Sequence, residues 1–470
     1  MLTGTAFEDS RPSFWPRVRE IAVPPSMIET ATARRTAGDW AGACAAAGFD
    51  VDLDLRTVTR VHGSGLAARL RADLRRLAPD LLRWHMPRTA PDGLLRAGTT
   101  VTLARYDEPG RSRPVRLVVR TAPAWAEAGQ RISLTVWDGL TPHGPGYGPR
   151  GYRPPDRRFR LDLHRHVWDA DRSDELRLRA GADRAGPSEG PLPRWASPVP
   201  GPERFALGRW ADEAALLLAA EGRPAGGEVT VRLGGRYRLL LDVRVSPGRQ
   251  GEGGGTSEVR SARIVRAGAC AGIPVLPDAA TWVLPDLELL RSGLVAPERL
   301  HPLVAAALAP GTPQSGCPGA DHHDVPRVVD CRGARHRIGL VGGVLVPLDH
   351  DPAEIRREEL LAALTGTPLP CLRVIDVAHR RPDCLDDIRD RLAHGDSAGA
   401  LAGVEKMLGA GALLRDGDLR DLLTDAARQR VRHGLFRAGL ADPGPREPVT
   451  ARERLRDGVH RSRPRNAACH

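Results

Sequence analysis

Lysine is almost missing from this chain: of 69 basic residues only Lys406 is a lysine. That excludes a phosphate-binding loop of the GxxxxGK[ST] type, which needs its lysine beside the phosphates. Lys406 sits in GVEKMLG, on an expected short helix with nothing beside it to mark a cofactor pocket. Pyridoxal chemistry and the usual kinase lysine are therefore set aside. No run approaches the roughly 18 uninterrupted apolar residues of a membrane span, so no membrane partner is expected. Glu8 and Asp9 occupy the place of a signal peptide's apolar core, which points to a cytoplasmic protein. The seven cysteines are odd in number and widely spread, with no CxxC pair. They read as reduced thiols, not a disulfide framework. GxSxG and HExxH are absent, and the Gly-Gly pairs fall at strand turns instead of opening a helix, so no nucleophile elbow, zincin or dinucleotide fingerprint is present.

What is abundant is arginine. Against 58 acidic residues the formal net charge is +11, an excess that favours anionic partners. The same chain is rich in Ala, Gly, Pro and Leu, the usage of a GC-rich genome, which accounts for arginine in place of lysine.

At 470 residues the chain is long enough for two to four domains. Residues 1–90 read as a helical block. Asp39 caps a helix from Trp40, Leu66, Leu70, Leu74 and Leu77 recur at helical spacing, and Asp50 to Leu55 alternates as a short strand. Its three aspartates suit an exposed strand face better than a metal. Residues 91–182 read as an antiparallel β domain, with Val101/Leu103, Val115/Leu117/Val119 and Ile132/Leu134/Val136 alternating between turn clusters. Residues 183–204 are a proline-rich linker. Residues 205–310 hold a helix and a hairpin turning at Gly234-Gly235, and residues 311–440 a second hairpin, at Gly342-Gly343, followed by helices. There Asp351-Pro352-Ala353-Glu354 combines cap, first-position proline and capping-box glutamate. Residues 441–470 are a basic tail, expected to be disordered. The fold class is α+β: small antiparallel sheets flanked by helical N-terminal and C-terminal blocks. One echo, GDxAGA at Gly38–Ala43 and Gly395–Ala400, is expected to be two independent N-caps, not a repeat array.

Three patterns bear on chemistry. Cys317 and His322 are separated by four residues, as are Cys331 and His336, with His350 nearby. Cysteine and histidine pairs on turns and hairpins are zinc ligands, and Cys317, His322, Cys331 and His336 form the predicted set. For nucleic acid, Arg232, Arg236, Arg238 and Arg244 alternate with apolar residues along the third-block hairpin. Tyr147, Arg150, Tyr152 and Arg153 mix aromatics with guanidinium groups in a Gly/Pro-rich loop, which continues to Arg157 and Arg160. Third, Asp162, His164, His166 and Asp169 lie close together, a general-base pattern if on one strand face and more often an edge-strand surface. No catalytic residue is assigned. The leading expectation is a non-catalytic accessory protein that binds another macromolecule, with a protein as partner. Nucleic-acid binding and a zinc-dependent enzyme or zinc-stabilised domain around 317–350 are the alternatives.

Overall fold

The computed structural model describes residues 14–108, 113–139, 153–183, 193–233, 237–246, 256–311 and 327–441. Its strands are β1 (Phe49–Asp52), β2 (Arg88–Thr89), β3 (Leu94–Leu95), β4 (Thr100–Tyr106), β5 (Val115–Thr121), β6 (Ile132–Trp137), β7 (Gly226–Arg232), β8 (Tyr237–Ser246), β9 (Thr256–Arg266), β10 (Arg327–Cys331), β11 (Ala334–Val341) and β12 (Val344–Pro347). They form small sheets ordered β1-β6-β5-β4, β2-β3, β7-β8-β9 and β10-β11-β12, with helices around them. The fold is α+β. Among the described residues no single helix is long and apolar enough to cross a membrane.

The first sheet is antiparallel except at its edge, where β1 lies parallel to β6 with Phe49 opposite Ile132. The strand expected from Asp50 to Leu55 stops at Asp52. Asp54 accepts hydrogen bonds from the Arg56 and Thr57 amides and so opens the Leu55–His62 helix. An N-cap satisfies amides that a longer strand would leave unpaired here. Asp50 and Asp52 form ion pairs with Arg131 and Arg437, tying β1 to the Asp418–Arg437 helix. One apolar core draws on Trp15, Leu70, Leu74, Trp84, Leu117, Leu134, Trp168 and Val304, so helices from both before and after the sheet in sequence cover it.

Arg19 is buried in that core. Its guanidinium lies 4.7 Å from the Trp15 ring centre and 4.4 Å from that of Trp84. It donates to Asp286 Oδ2 at 2.7 Å, and Trp84 Nε1 donates to Asp286 Oδ1 at 3.1 Å. Asp286→Ala strands a desolvated cation and an indole N–H. The expected loss is about 3–5 kcal/mol, read by denaturant unfolding; a loss within the ordinary surface range contradicts it.

The second core packs β7–β9 against the Trp210–Ala220 helix. Residues 193–204, part of the expected linker, contribute Ala196 and Val199 to it. The segment is therefore not a free spacer in its described part: Ala196 and Val199, with the partly buried Trp195, anchor it. The third core joins Ile338 and Leu345 of the last sheet to helices between 370 and 423.

Both copies of GDxAGA are the same capping device. Asp39 accepts from the Gly42 amide and Asp396 from the Gly399 amide, each at 2.8 Å. A Cβ on either of these glycines would lie 2.1 Å from the capping carboxylate. The cap thus accounts for the aspartate and for the glycine three residues after it in both copies.

Four buried histidines make the fold acid-sensitive. Burial pushes His394 down to about 3, holds His85 and His166 well below the ordinary imidazole range, and lowers His379. Unfolded imidazoles take up a proton near pH 6.5, so the unfolded state binds more protons below that value. Stability is full above about pH 6.5 and drains as pH falls toward 3. Glu288, pushed up to about 7 by burial, acts in the opposite sense, losing stability as pH rises from about 4.5 to 7. With four imidazoles against the Glu288 carboxyl, the unfolding midpoint in urea is expected to fall between pH 7 and pH 5. His394→Gln should shallow the slope; an unchanged slope contradicts the assignment.

Candidate metal centre

β10 ends on Cys331, and Arg332-Gly333 turns the chain into β11 with both residues at positive φ, 53° and 81°. A two-residue hairpin turn with two positive φ values matches the twist of the strands it joins. Cys331 is paired with Ala334, and Val329 with His336. Side chains alternate across a strand, so Cys331 and His336 share one face. Gly342 and Gly343 close the next hairpin at φ 61° and 80°, and β12 returns beside β11. Past β12, Asp349 accepts from the Arg337 amide at 2.8 Å, which fixes the backbone beside His350. Asp351 then caps the Pro352–Thr365 helix. Pro370 opens the Pro370–Arg380 helix and places Cys371 in its first turn.

The four donor atoms of Cys331, His336, His350 and Cys371 lie within 4.8 Å of one another. His336 Nδ1 and His350 Nε2 are 2.5 Å apart, with the rings nearly perpendicular at 89°. Both cysteines are fully buried and free of disulfide, within a small apolar collar of Leu369, Leu372, Val329 and Ile355. Two thiolates and two imidazoles are a zinc donor set. Zn–S and Zn–N bond lengths put tetrahedral donors about 3.3–3.8 Å apart, which the cluster accommodates with small shifts. Burial, reinforced by a hydrogen bond with Cys331, pushes the Cys371 thiol up to about 11 in the metal-free protein.

Around the donors, Arg332 bridges Glu354 at 2.9 Å and Glu358 at 2.5 Å. These bonds hold a non-glycine residue at positive φ and clamp the helix to the turn. Glu354 Oε2 is also 3.7 Å from His350 Nδ1, too long for a hydrogen bond but near enough to favour the ring's orientation.

Of the predicted set, Cys331 and His336 come together; Cys317 and His322 lie outside the described residues. His350 and Cys371 complete the cluster instead. His350 belonged to the stretch singled out in the sequence. Cys371 carried no local signal beyond its place just after the proline that starts a helix.

Of the predicted nucleic-acid residues the structure describes Arg153, Arg232, Arg238 and Arg244. Arg232 and Arg238 face each other across β7–β8, and Arg244 lies opposite Gly226 at the far end of the ladder. Between them the same face carries Glu228 opposite Asp242 and the buried Thr230 opposite Leu240. The face expected to be outward and basic is thus partly covered and mixed in charge. The 274–276 segment bonds to Thr230 along the β7 edge. Arg232 is half-buried, and burial with neighbouring Arg158 lowers it to about 10. Arg153 is exposed, and its carbonyl accepts from Thr100 Oγ1. Arg236, Tyr147, Arg150 and Tyr152 lie outside the described residues.

The histidine–carboxylate group is largely buried and its acids are paired. Arg165–Val167 is a 3-10 turn, not a strand. His164 Nε2 meets Glu213 Oε2 at 3.1 Å, and Arg179 grips the same carboxylate at 2.5 and 2.6 Å. Burial opposes the Glu213 charge, but these partners outweigh it and hold the group below the usual carboxylate range. Asp169, fully buried, is paired with Arg165. No family model, curated protein or solved structure matches the chain.

Proposed function

We propose that this chain is a non-catalytic protein that binds another macromolecule, with a structural zinc ion organising its C-terminal block. The observation that carries this reading is the closed Cys331–His336–His350–Cys371 set. Four protein donors complete a tetrahedron and leave no position for water or substrate, the mark of structural rather than catalytic zinc. The binding half is supported by the helix that the centre holds. Pro352–Thr365 has no buried residue, and Leu360, Leu361 and Leu364 are 65%, 50% and 86% exposed. An apolar row of this kind on a clamped helix suits a protein partner with an apolar groove.

The test is metal analysis of the purified chain, followed by cobalt substitution. About one zinc per chain and a tetrahedral cobalt absorption spectrum are expected. Metal-free protein with a Cys331–Cys371 disulfide overturns the reading, and a five- or six-coordinate cobalt spectrum overturns its non-catalytic half.

A further inference from the structure

A cleft of about 400 Å³ lies between β4, β5, residues 155–160, the end of the Trp210–Ala220 helix and residues 272–275. Arg105, Arg116, Arg157 and Arg160 line it, with Asp156 and Glu221. Four arginines thus line the cleft against two acids, and the acids at and around it have partners of their own. Arg160 chelates Asp162 through Nε at 3.2 Å and a terminal nitrogen at 2.7 Å, and also bonds Glu221. Arg105 is held by Asp107 at 3.1 Å. Asp156 is turned to its own loop, accepting from the Arg158 amide at 2.9 Å. The acids are thereby committed.

Arg116 is different. It rises from β5, half-buried, with its guanidinium 5.0 Å from the Trp137 ring centre. Among the described residues it has no hydrogen-bonded carboxylate, and Arg157 at the rim has none either. Burial, and then the like charges of Arg105 and Arg160, lower Arg116 from its ordinary value. The charges of Asp162 and Glu221 act on it in the opposite sense, but both are bound to Arg160 and, among the described residues, neither is hydrogen-bonded to Arg116. Guanidinium forks match phosphate oxygens in pairs, and a planar arginine is more easily stripped of water than lysine.

We propose that this cleft binds a small phosphate-bearing molecule, with the phosphoryl group seated between Arg116 and Arg157 and flanked by Arg105 and Arg160. The volume falls within the range of small-ligand pockets and is walled by a helix and two loops, which favours a compact ligand over a strand passing through. This site is independent of the metal centre, so either can fail without the other.

The probe is pyrophosphate, measured by titration calorimetry on the full chain, with a single-stranded oligothymidine as the second arm. Saturable pyrophosphate binding is expected, weakened about tenfold or more by Arg116→Ala and by Arg157→Ala, and less by Arg116→Lys. Arg157 is exposed, so its variant keeps the fold and separates lost binding from lost structure. Arg244→Ala is expected to bind as the parent does. No saturable pyrophosphate binding, or binding unmoved by both alanine variants, overturns the proposal. So does oligothymidine binding without pyrophosphate binding, which would mark an open surface.

Discussion

Cys371→Ser is expected to release the metal and unfold the C-terminal block while the cores built on β1–β9 remain. Cys331 and Cys371 join β10 to the start of the Pro370–Arg380 helix; His336 and His350 join β11 to the start of Pro352–Thr365. One ion held there would crosslink four points of the chain. Apparent zinc-binding energies in small modules reach about 10–16 kcal/mol and act as folding energy. Here the third core already packs Ile338, Leu345, Ile375 and Ile388 together, so part of the block's stability has another source. The loss on removing one sulfur ligand is accordingly put on the order of 5 kcal/mol. The Pro352–Thr365 helix should suffer most. It fully buries none of its residues, so without the centre it keeps only the partly buried Ile355 contact and the exposed Arg332 pairs, and exposed pairs contribute little. Hydrogen exchange checks this directly: protection is expected to vanish over 352–365 and 327–347, and to persist over β4–β6. Cys270→Ser is the control, since Cys270 stands apart from the cluster. Unchanged zinc content and unchanged exchange in the Cys371 variant would refute the centre's structural role.

How far the sequence spoke depends on the range of each interaction. The hairpin turning on Gly342-Gly343, and caps such as Asp39, Asp351 and Asp396, are local, because the residues that make the hydrogen bond stand within three positions of each other; Gly234-Gly235 lies outside the described residues. Half the metal centre was equally local: Cys331 and His336 flank one two-residue turn. Cys371 was hidden because only packing of its helix on β10 brings it near. The pairing of β1 with β6 was hidden for the same reason, because a four-residue strand says nothing of which edge it will join. Charge misled in the opposite direction. Alternating arginines in β7 and β8 looked like a solvated face, but alternation fixes only which side a residue occupies, not what covers that side. Thr230 and Leu240 are buried there. Within Leu81-Leu82-Arg83-Trp84 the sequence marks an apolar helix, and nothing in it distinguishes an arginine at the rim from one at the centre.

Arg83 stands at the centre, and its replacement is expected to be among the most damaging in the chain. It is 2% exposed and its guanidinium bonds no carboxylate among the described residues. Nε donates to the Ala22 carbonyl at 3.0 Å, one terminal nitrogen to the Gln130 carbonyl at 2.7 Å and more weakly to that of Ala47 at 3.5 Å, and the other to the His394 carbonyl at 2.8 Å. Ala22 and Ala47 cap the C-terminal ends of the Trp15–Ile21 and Trp40–Ala46 helices, and His394 ends Leu385–His394. Helix C-termini carry partial negative charge and unpaired carbonyls. Three of them converge on one cation, which replaces the missing counter-ion. Burial, then repulsion from Arg131, lowers Arg83 only to about 10, so it stays charged at neutral pH. Each buried carbonyl left without a donor costs about 1–3 kcal/mol. Arg83→Met therefore removes roughly 4–8 kcal/mol, a large share of a typical domain's stability of about 5–15 kcal/mol. Arg83→Lys should recover less than half, because an ammonium cannot span acceptors spread around a planar fork. The same contact fixes the neighbouring glycine: a Cβ on Gly395 would lie 2.1 Å from the Gly129 carbonyl and 3.0 Å from the Arg83 guanidinium. Gly395→Ala and Arg83→Met thus break one junction, and their losses in urea unfolding should fall short of additive. Strictly additive losses, or a loss under about 1 kcal/mol for Arg83→Met, would mean that the C-terminal block is not held to the first core through this residue.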